Sequence, residues 1–282
     1  MQVFSNPQAM QHWCQEQKRQ GKTVGLVPTM GSLHEGHLAL VRKARSSCDT
    51  VVVSIFVNPI QFNVQQDFEE YPRDLKQDTS LLEQENVDAV FAPSIPEMYP
   101  KGYSSFVELY GEITEKLCGG ARPGHFKGVT TVVSKLFNIC LPDLAFFGQK
   151  DAQQVLVIEK MVRELNFPLR IVRVPIVREA DGLAKSSRNV HLNKSQRQQA
   201  PVLNRALQGA RQLIEEGETG VERIKDYITD YIKTSSEARI DYVEIYNARD
   251  LSDLEIIRGE VIIALAVWFG TTRLIDNLIV EV

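Results

Sequence analysis

Thr23-Val-Gly-Leu-Val27, then Pro28-Thr-Met-Gly-Ser-Leu-His34-Glu-Gly-His37, then Val51-Val-Val-Ser-Ile-Phe-Val57, with Leu38, Leu40, Val41 and Ala44 at helical spacing in between, read as strand, turn, helix and strand. Both strand candidates are short, apolar and rich in β-branched residues, as strands covered on both faces are. Parallel neighbours need a crossover, and such crossovers are overwhelmingly right-handed, so residues 23–57 form a βαβ unit.

The alternation continues in both directions. Upstream, Pro7 opens a helix-compatible stretch that Gly21 stops. Downstream, the pattern predicts a helix over 73–85, a strand at 89–91, a helix over 130–139, a strand at 144–147, a helix from Ala152 and a strand at 171–174. About five strands separated by helices give an α/β fold with a Rossmann-like, doubly wound parallel sheet. After Val177 the order changes. Helices over 194–215 and 221–234 precede consecutive strands at 240–246, 261–268 and 273–280, the order of a smaller C-terminal α+β domain with antiparallel pairing. The expected boundary falls between residues 1–176 and 177–282.

Composition narrows the partners. The chain has 282 residues and a net charge of −4, ample to bury a core and unsuited to a broad nucleic-acid surface, although a local basic pocket remains compatible. Cys14, Cys48, Cys118 and Cys140 are far apart and lack redox or zinc-ligand spacing. A reducing cytoplasm fits them. Met1 to Trp13 is polar, without a signal-peptide core, and the longest apolar run, Val261 to Phe269, is too short to span a bilayer. No membrane or nucleic-acid partner is expected.

In an open parallel sheet, ligands sit at the carboxyl ends of the strands where strand order reverses. The turn at 28–37 is therefore the first candidate site. Its glycines let backbone approach a ligand, the N–H groups of the helix start favour an anion, and His34 and His37 add donors. A lone histidine here would more often be a cap or a solvated residue; two around a glycine are more specific. Competing motifs fail. There is no Gly-x-Gly-x-x-Gly, Gly21-Lys22-Thr23 precedes a strand and has Glu16 where a P-loop needs glycine, and His34-Glu35-Gly36-His37 is one residue short of a zinc-protease motif. Asn58-Pro-Ile-Gln-Phe62 and Gly148-Gln149-Lys150-Asp151, with Gln154 one helical turn on, leave other strand ends toward the same crevice. A further segment, Glu179-Ala-Asp-Gly-Leu-Ala-Lys185-Ser186-Ser187-Arg188-Asn189, sets two hydroxyls beside cations, a composition suited to polyphosphate.

The histidine turn with a later Lys/Ser/Arg loop resembles the nucleotidylyl transferases and class I aminoacyl-tRNA synthetases. A narrower likeness covers nearly the whole chain. Residues 27–37, Phe56-Val-Asn-Pro-Ile-Gln-Phe62, Arg122-Pro-Gly-His-Phe-Lys-Gly128, Phe147-Gly-Gln-Lys-Asp151, Asp181-Gly-Leu-Ala-Lys-Ser-Ser-Arg-Asn189 and Thr271-Thr-Arg-Leu-Ile-Asp-Asn277 are together similar to the pantoate–β-alanine ligase family. That resemblance implies ligation of pantoate and β-alanine with ATP and Mg²⁺ through a pantoyl adenylate, a homodimer, and a C-terminal domain that closes over ATP. It also implies an ATP site made of Met30, Gly31, Ser32, Leu33, His34, Glu35, Gly36 and His37, with Gly148, Gln149, Lys150, Asp151, Val177, Lys185, Ser186, Ser187 and Arg188. His37, His34 and Lys150 would be catalytic, His37 as the acid, and Gln61 and Gln154 would hold pantoate or β-alanine. Gln149 stands where the family often has Glu, and Lys185 where it often has an apolar residue.

Adenylation needs no protein nucleophile, because the substrate carboxylate attacks phosphorus and pyrophosphate leaves; the protein positions and neutralises. Mg²⁺ leans on phosphates and water, so few protein ligands are expected, Asp78 being one candidate. Two other functions use the same ATP segments: transfer of a nucleotidyl group to a phosphate monoester, and a non-catalytic nucleotide-binding regulator. The first would want a second cationic cluster where this chain has Gln61 and Gln154, and the second has no need of paired amides.

Overall fold

The computed structural model describes residues 1–282. Six strands, β1 (Gln2–Phe4), β2 (Val24–Thr29), β3 (Thr50–Ile55), β4 (Ala89–Phe91), β5 (Leu144–Gly148) and β6 (Arg170–Val174), pair in parallel in the order β1-β4-β3-β2-β5-β6. Helices cover both faces, which is why Val24, Leu26, Val27 and Val51 to Val53 are fully buried in nearly unbroken apolar runs. The expected fold class is present, with one strand more than the pattern predicts. β1 spans only three residues at the sheet edge, too few for alternation to register, and is fixed by its pairing with β4.

From β2 the chain steps outward to β3 and β4, then returns to β5 on the other side of β2. The reversal lies between β2 and β5, so the crevice opens at their carboxyl ends. Residues 28–37, 58–62 and 148–151 leave the ends of three neighbouring strands there.

β7 (Ala238–Asn247), β8 (Glu260–Phe269) and β9 (Thr272–Glu281) form an antiparallel sheet, as the element order predicts. In β8, Val261, Ile263, Leu265, Val267 and Phe269 pack with the helices Val202–Glu215 and Val221–Lys233. The alternate residues Ile262 and Ala264 join the core that includes β2, β5 and the helix His125–Cys140. Coverage of both faces explains the long apolar run at 261–269. The predicted helix over 194–215 is two helices, Lys194–Gln199 and Val202–Glu215, because Pro201 cannot donate to the preceding turn. No helix is long and apolar enough to cross a membrane. All four cysteines are free.

Candidate active site

The turn after β2 is held from beneath. Buried Asp78, on the helix Leu75–Gln84, accepts the Ser32 N–H at 3.0 Å and the Leu33 N–H at 2.8 Å. Gly31 has φ +80, and a Cβ there would lie 2.8 Å from Asp78 Oδ2, so glycine is required on both counts. Burial pushes the Asp78 carboxyl up, against the two amide hydrogen bonds that pull it down. With each oxygen accepting a backbone N–H, Asp78 anchors the turn. No group of three or more His, Cys, Asp or Glu side chains is placed to hold a metal ion.

The backbone is not the open anion cradle that the sequence suggests. Besides Ser32 and Leu33, the Gly31 N–H goes to Thr29 Oγ1, the His34 N–H to His37 Nδ1, the Gly36 N–H to His34 Nδ1 and the His37 N–H to the His34 carbonyl. His34 is the N-cap of the helix Glu35–Arg45, and its ring folds back over Gly36, where a Cβ would meet it at 2.8 Å. The side chains of Leu33 and Glu35 also point elsewhere, Leu33 into the core and Glu35 to Arg42. Few backbone donors of the turn are therefore left open.

The two histidine rings lie 4.1 Å apart, centroid to centroid. Each accepts a backbone N–H at Nδ1, which leaves the proton on Nε2 and makes both rings neutral donors. Burial, then the facing His34 and Lys150, pushes His37 down to about 3; burial and the cations Lys150 and Lys185 lower His34. Elsewhere in the site, burial and Arg122 push His125 down to about 4. On unfolding, His37 and His125 regain an ordinary value near 6.5, so below that pH the unfolded chain binds more protons. Stability then falls with falling pH, by about 1.4 kcal/mol per unit for each buried histidine. Urea midpoints measured at about pH 7 and about pH 5.5 should differ accordingly, and His37→Gln should reduce the difference; equal midpoints for the unsubstituted protein would contradict neutral rings.

Gln61 ends a 3₁₀ turn, Pro59–Gln61, beyond β3. Its Oε1 accepts from Asn58 Nδ2 at 3.1 Å, and its Nε2 meets only the thioether of Met30 at 3.2 Å, a weak acceptor that a carboxylate can displace. Gly128 lets the helix His125–Cys140 press on this turn, since a Cβ would come 2.6 Å from Gln61 Cα. Beneath it, His125 Nδ1 donates to the Gln61 carbonyl at 2.8 Å, and Arg122 reaches the same oxygen at 3.3 Å. Gln154 lies half-buried in the first turn of the helix Ala152–Glu164.

Lys150 is in the 3₁₀ turn Gln149–Asp151 beyond β5 and lines a small cleft with Ser186, Arg188 and Arg273. Lys185 lies 3.2 Å from Glu179, and both charges act on His34. Gln149 Nε2 bonds Asn277 Oδ1 at 3.2 Å. The two residues that depart from the family pattern thus have partners inside the chain. The backbone of Val177 accepts the Lys185 N–H at 2.9 Å, closing the hairpin ahead of Ser186 and Ser187.

Several residues at the site escape sequence reasoning. Tyr99 donates its hydroxyl to Asn58, which also links Gln61 to the Gly128 carbonyl. Tyr71, raised by burial, faces Arg188 and Ser187. Arg122 and His125 lie within Arg122-Pro-Gly-His-Phe-Lys-Gly128, the one local signal for them.

Comparison with known proteins gives the family. A family model for pantoate–β-alanine ligase matches residues 2–279. The chain is 65% identical to the pantothenate synthetase of Syntrophomonas wolfei over 282 residues, all of both chains. A crystal structure of pantothenate synthetase from Thermus thermophilus superposes with a TM-score of 0.93 at 44% identity, covering 99% of each chain. The Francisella tularensis pantoate–β-alanine ligase, complexed with Beta-gamma ATP and β-alanine, superposes with a TM-score of 0.79 at 34% identity, over 99% of this chain and 97% of that one. The chain belongs to the pantoate–β-alanine ligase family.

Proposed function

We propose that the chain ligates pantoate to β-alanine with ATP, through a pantoyl adenylate, releasing AMP and pyrophosphate. The observation that carries this reading is the meeting of two neutral histidine donors, Lys150 and the amide of Gln61 at neighbouring strand ends, in a chain of this family. ATP lies along residues 30–37, Gly148 to Asp151, Val177 and Lys185 to Arg188. Gln61 and Gln154 hold pantoate, and Gln61 also meets β-alanine. Neutral amides orient the carboxylate without the tight bidentate pairing that would damp its nucleophilicity.

A pantoate carboxylate oxygen attacks the α-phosphorus, and the bond to the bridging oxygen of the β-phosphate breaks. His34 and His37 donate through Nε2–H on the α-phosphate side. Being neutral, His37 acts as a hydrogen-bond donor more than as a proton-transferring acid. Lys150, Arg188, Ser186 and Ser187 take up the charge of the departing pyrophosphate. Mg²⁺ would supply charge neutralisation on the phosphates, beside Lys150 and Arg188. The β-alanine amine, after losing a proton, attacks the acyl carbon, and the bond to AMP breaks.

Residues 1–176 form the ATP- and pantoate-binding domain, and residues 177–282 the cap. The protein works in the cytoplasm as a homodimer, for which exposed Phe106 and Tyr110, on a segment outside helices and strands, are a suitable contact; light scattering at the monomer mass of 31.9 kDa would contradict the dimer. With all three substrates, AMP, pyrophosphate and pantothenate should accumulate in equal amounts. Accumulation of ADP and phosphate instead would reject the adenylate route.

A further inference from the structure

Two adjacent residues of β9 join the separate halves of the cationic cluster. Asn277 is buried, and its amide donates to the carbonyls of Gln149 at 2.9 Å and Lys150 at 3.0 Å, while its Oδ1 accepts from Gln149 Nε2 at 3.2 Å. Asp276 is also buried and accepts both terminal nitrogens of Arg178, at 2.6 and 2.9 Å. Arg178 in turn donates to the Gly182 carbonyl at 3.1 Å. Consecutive side chains of a strand point to opposite faces. Asn277 thereby reaches the turn that carries Lys150, and Asp276 reaches the hairpin that runs into Lys185, Ser186 and Arg188.

The side chain of Asn277 is fully committed. Both amide protons are donated and the oxygen accepts, so alanine loses every bond and aspartate sets a carboxylate against two carbonyls. Holding the Lys150 carbonyl fixes the backbone from which the ammonium swings. Lys150, Ser186, Arg188 and Asp276 line one cleft, so a displacement of this turn changes the distance between cations that act on the same anion.

We propose that Asn277 is a positioning residue of the ligase, which acts through Lys150 by fixing its turn to the strand that also holds the Lys185–Arg188 hairpin. This rests on the reading of the site as an ATP-dependent pantoate ligase. The test is a double-mutant cycle with Lys150→Ala, read by steady-state kinetics with ATP and pantoate varied separately. Asn277→Ala is expected to cut kcat/KM for ATP by about 10- to 100-fold, the effect of displacing a charge by about an ångström. The KM for pantoate should change by less than about twofold, and in the Lys150→Ala background the further loss should be under about threefold, since both changes disable one device. Asn277→Asp should be no better than alanine. Asn277→Ser keeps one donor, should recover part of the loss, and serves if alanine does not fold.

Losses that multiply fully in the double variant, or a KM for pantoate that rises as much as the KM for ATP, would overturn the positioning role while the unsubstituted enzyme still made pantothenate. Absence of pantoate-dependent activity in the unsubstituted enzyme would instead reject the underlying functional reading.

Discussion

Replacing His37 by alanine is expected to lower kcat for adenylate formation by about 100-fold or more, the size of loss typical when one donor to a transition-state oxyanion is removed. The expectation follows from how the ring is held. Its Nδ1 accepts the His34 N–H at 3.2 Å, which leaves Nε2–H directed away from the turn, and burial keeps the ring neutral well below physiological pH. A preformed neutral donor needs no reorganisation as charge builds on the α-phosphate. His37→Gln puts an amide N–H in a similar place and should retain more activity than alanine. Single-turnover formation of AMP from ATP and pantoate reads the step directly. A change confined to the KM for ATP would remove His37 from the transition state.

Arg178→Ala should destabilise the protein by about 3–5 kcal/mol, the usual cost of leaving a buried charge without its partner. The Asp276 side chain is only 1% exposed, whereas that of Arg178 is 22% exposed, so loss of the arginine strands a carboxylate that water barely reaches. One backbone N–H, from Asn277 at 2.8 Å, would remain to it. Adding Asp276→Asn to Arg178→Ala removes the stranded charge and should restore part of the stability. Urea unfolding with an unchanged slope gives the difference from the midpoint; a loss below about 1 kcal/mol would mean that solvent reaches Asp276 more readily than its burial implies.

Legibility in the sequence followed sequence distance. The βαβ unit, the histidine turn and Gln61 were readable because a few neighbouring residues define them. Gly36 between the histidines is local too, although its reason, room for the His34 ring, needs coordinates. The residues that hold the site rigid were not readable. Asp78 reaches Leu33 across 45 positions, Arg178 reaches Asp276 across 98 and Asn277 reaches Gln149 across 128, and no local periodicity encodes such pairs. Helix starts do present N–H groups to anions, but here Asp78, Thr29 and the histidines themselves take most of them. Side chains are left as the open donors of the turn, which is why the tautomers of His34 and His37 matter. β1 has no legible pattern for a plainer reason: three residues at a sheet edge gain their structure from β4.

ATP and pantoate alone are expected to form an adenylate at the ends of β2, β3 and β5. Exchange of labelled pyrophosphate into ATP tests it, because label returns only if the adenylate forms reversibly. Exchange should require pantoate, proceed without β-alanine and fall about 100-fold or more in His37→Ala. Exchange that is absent until β-alanine is added, in protein shown to be folded and able to make pantothenate, would contradict the account.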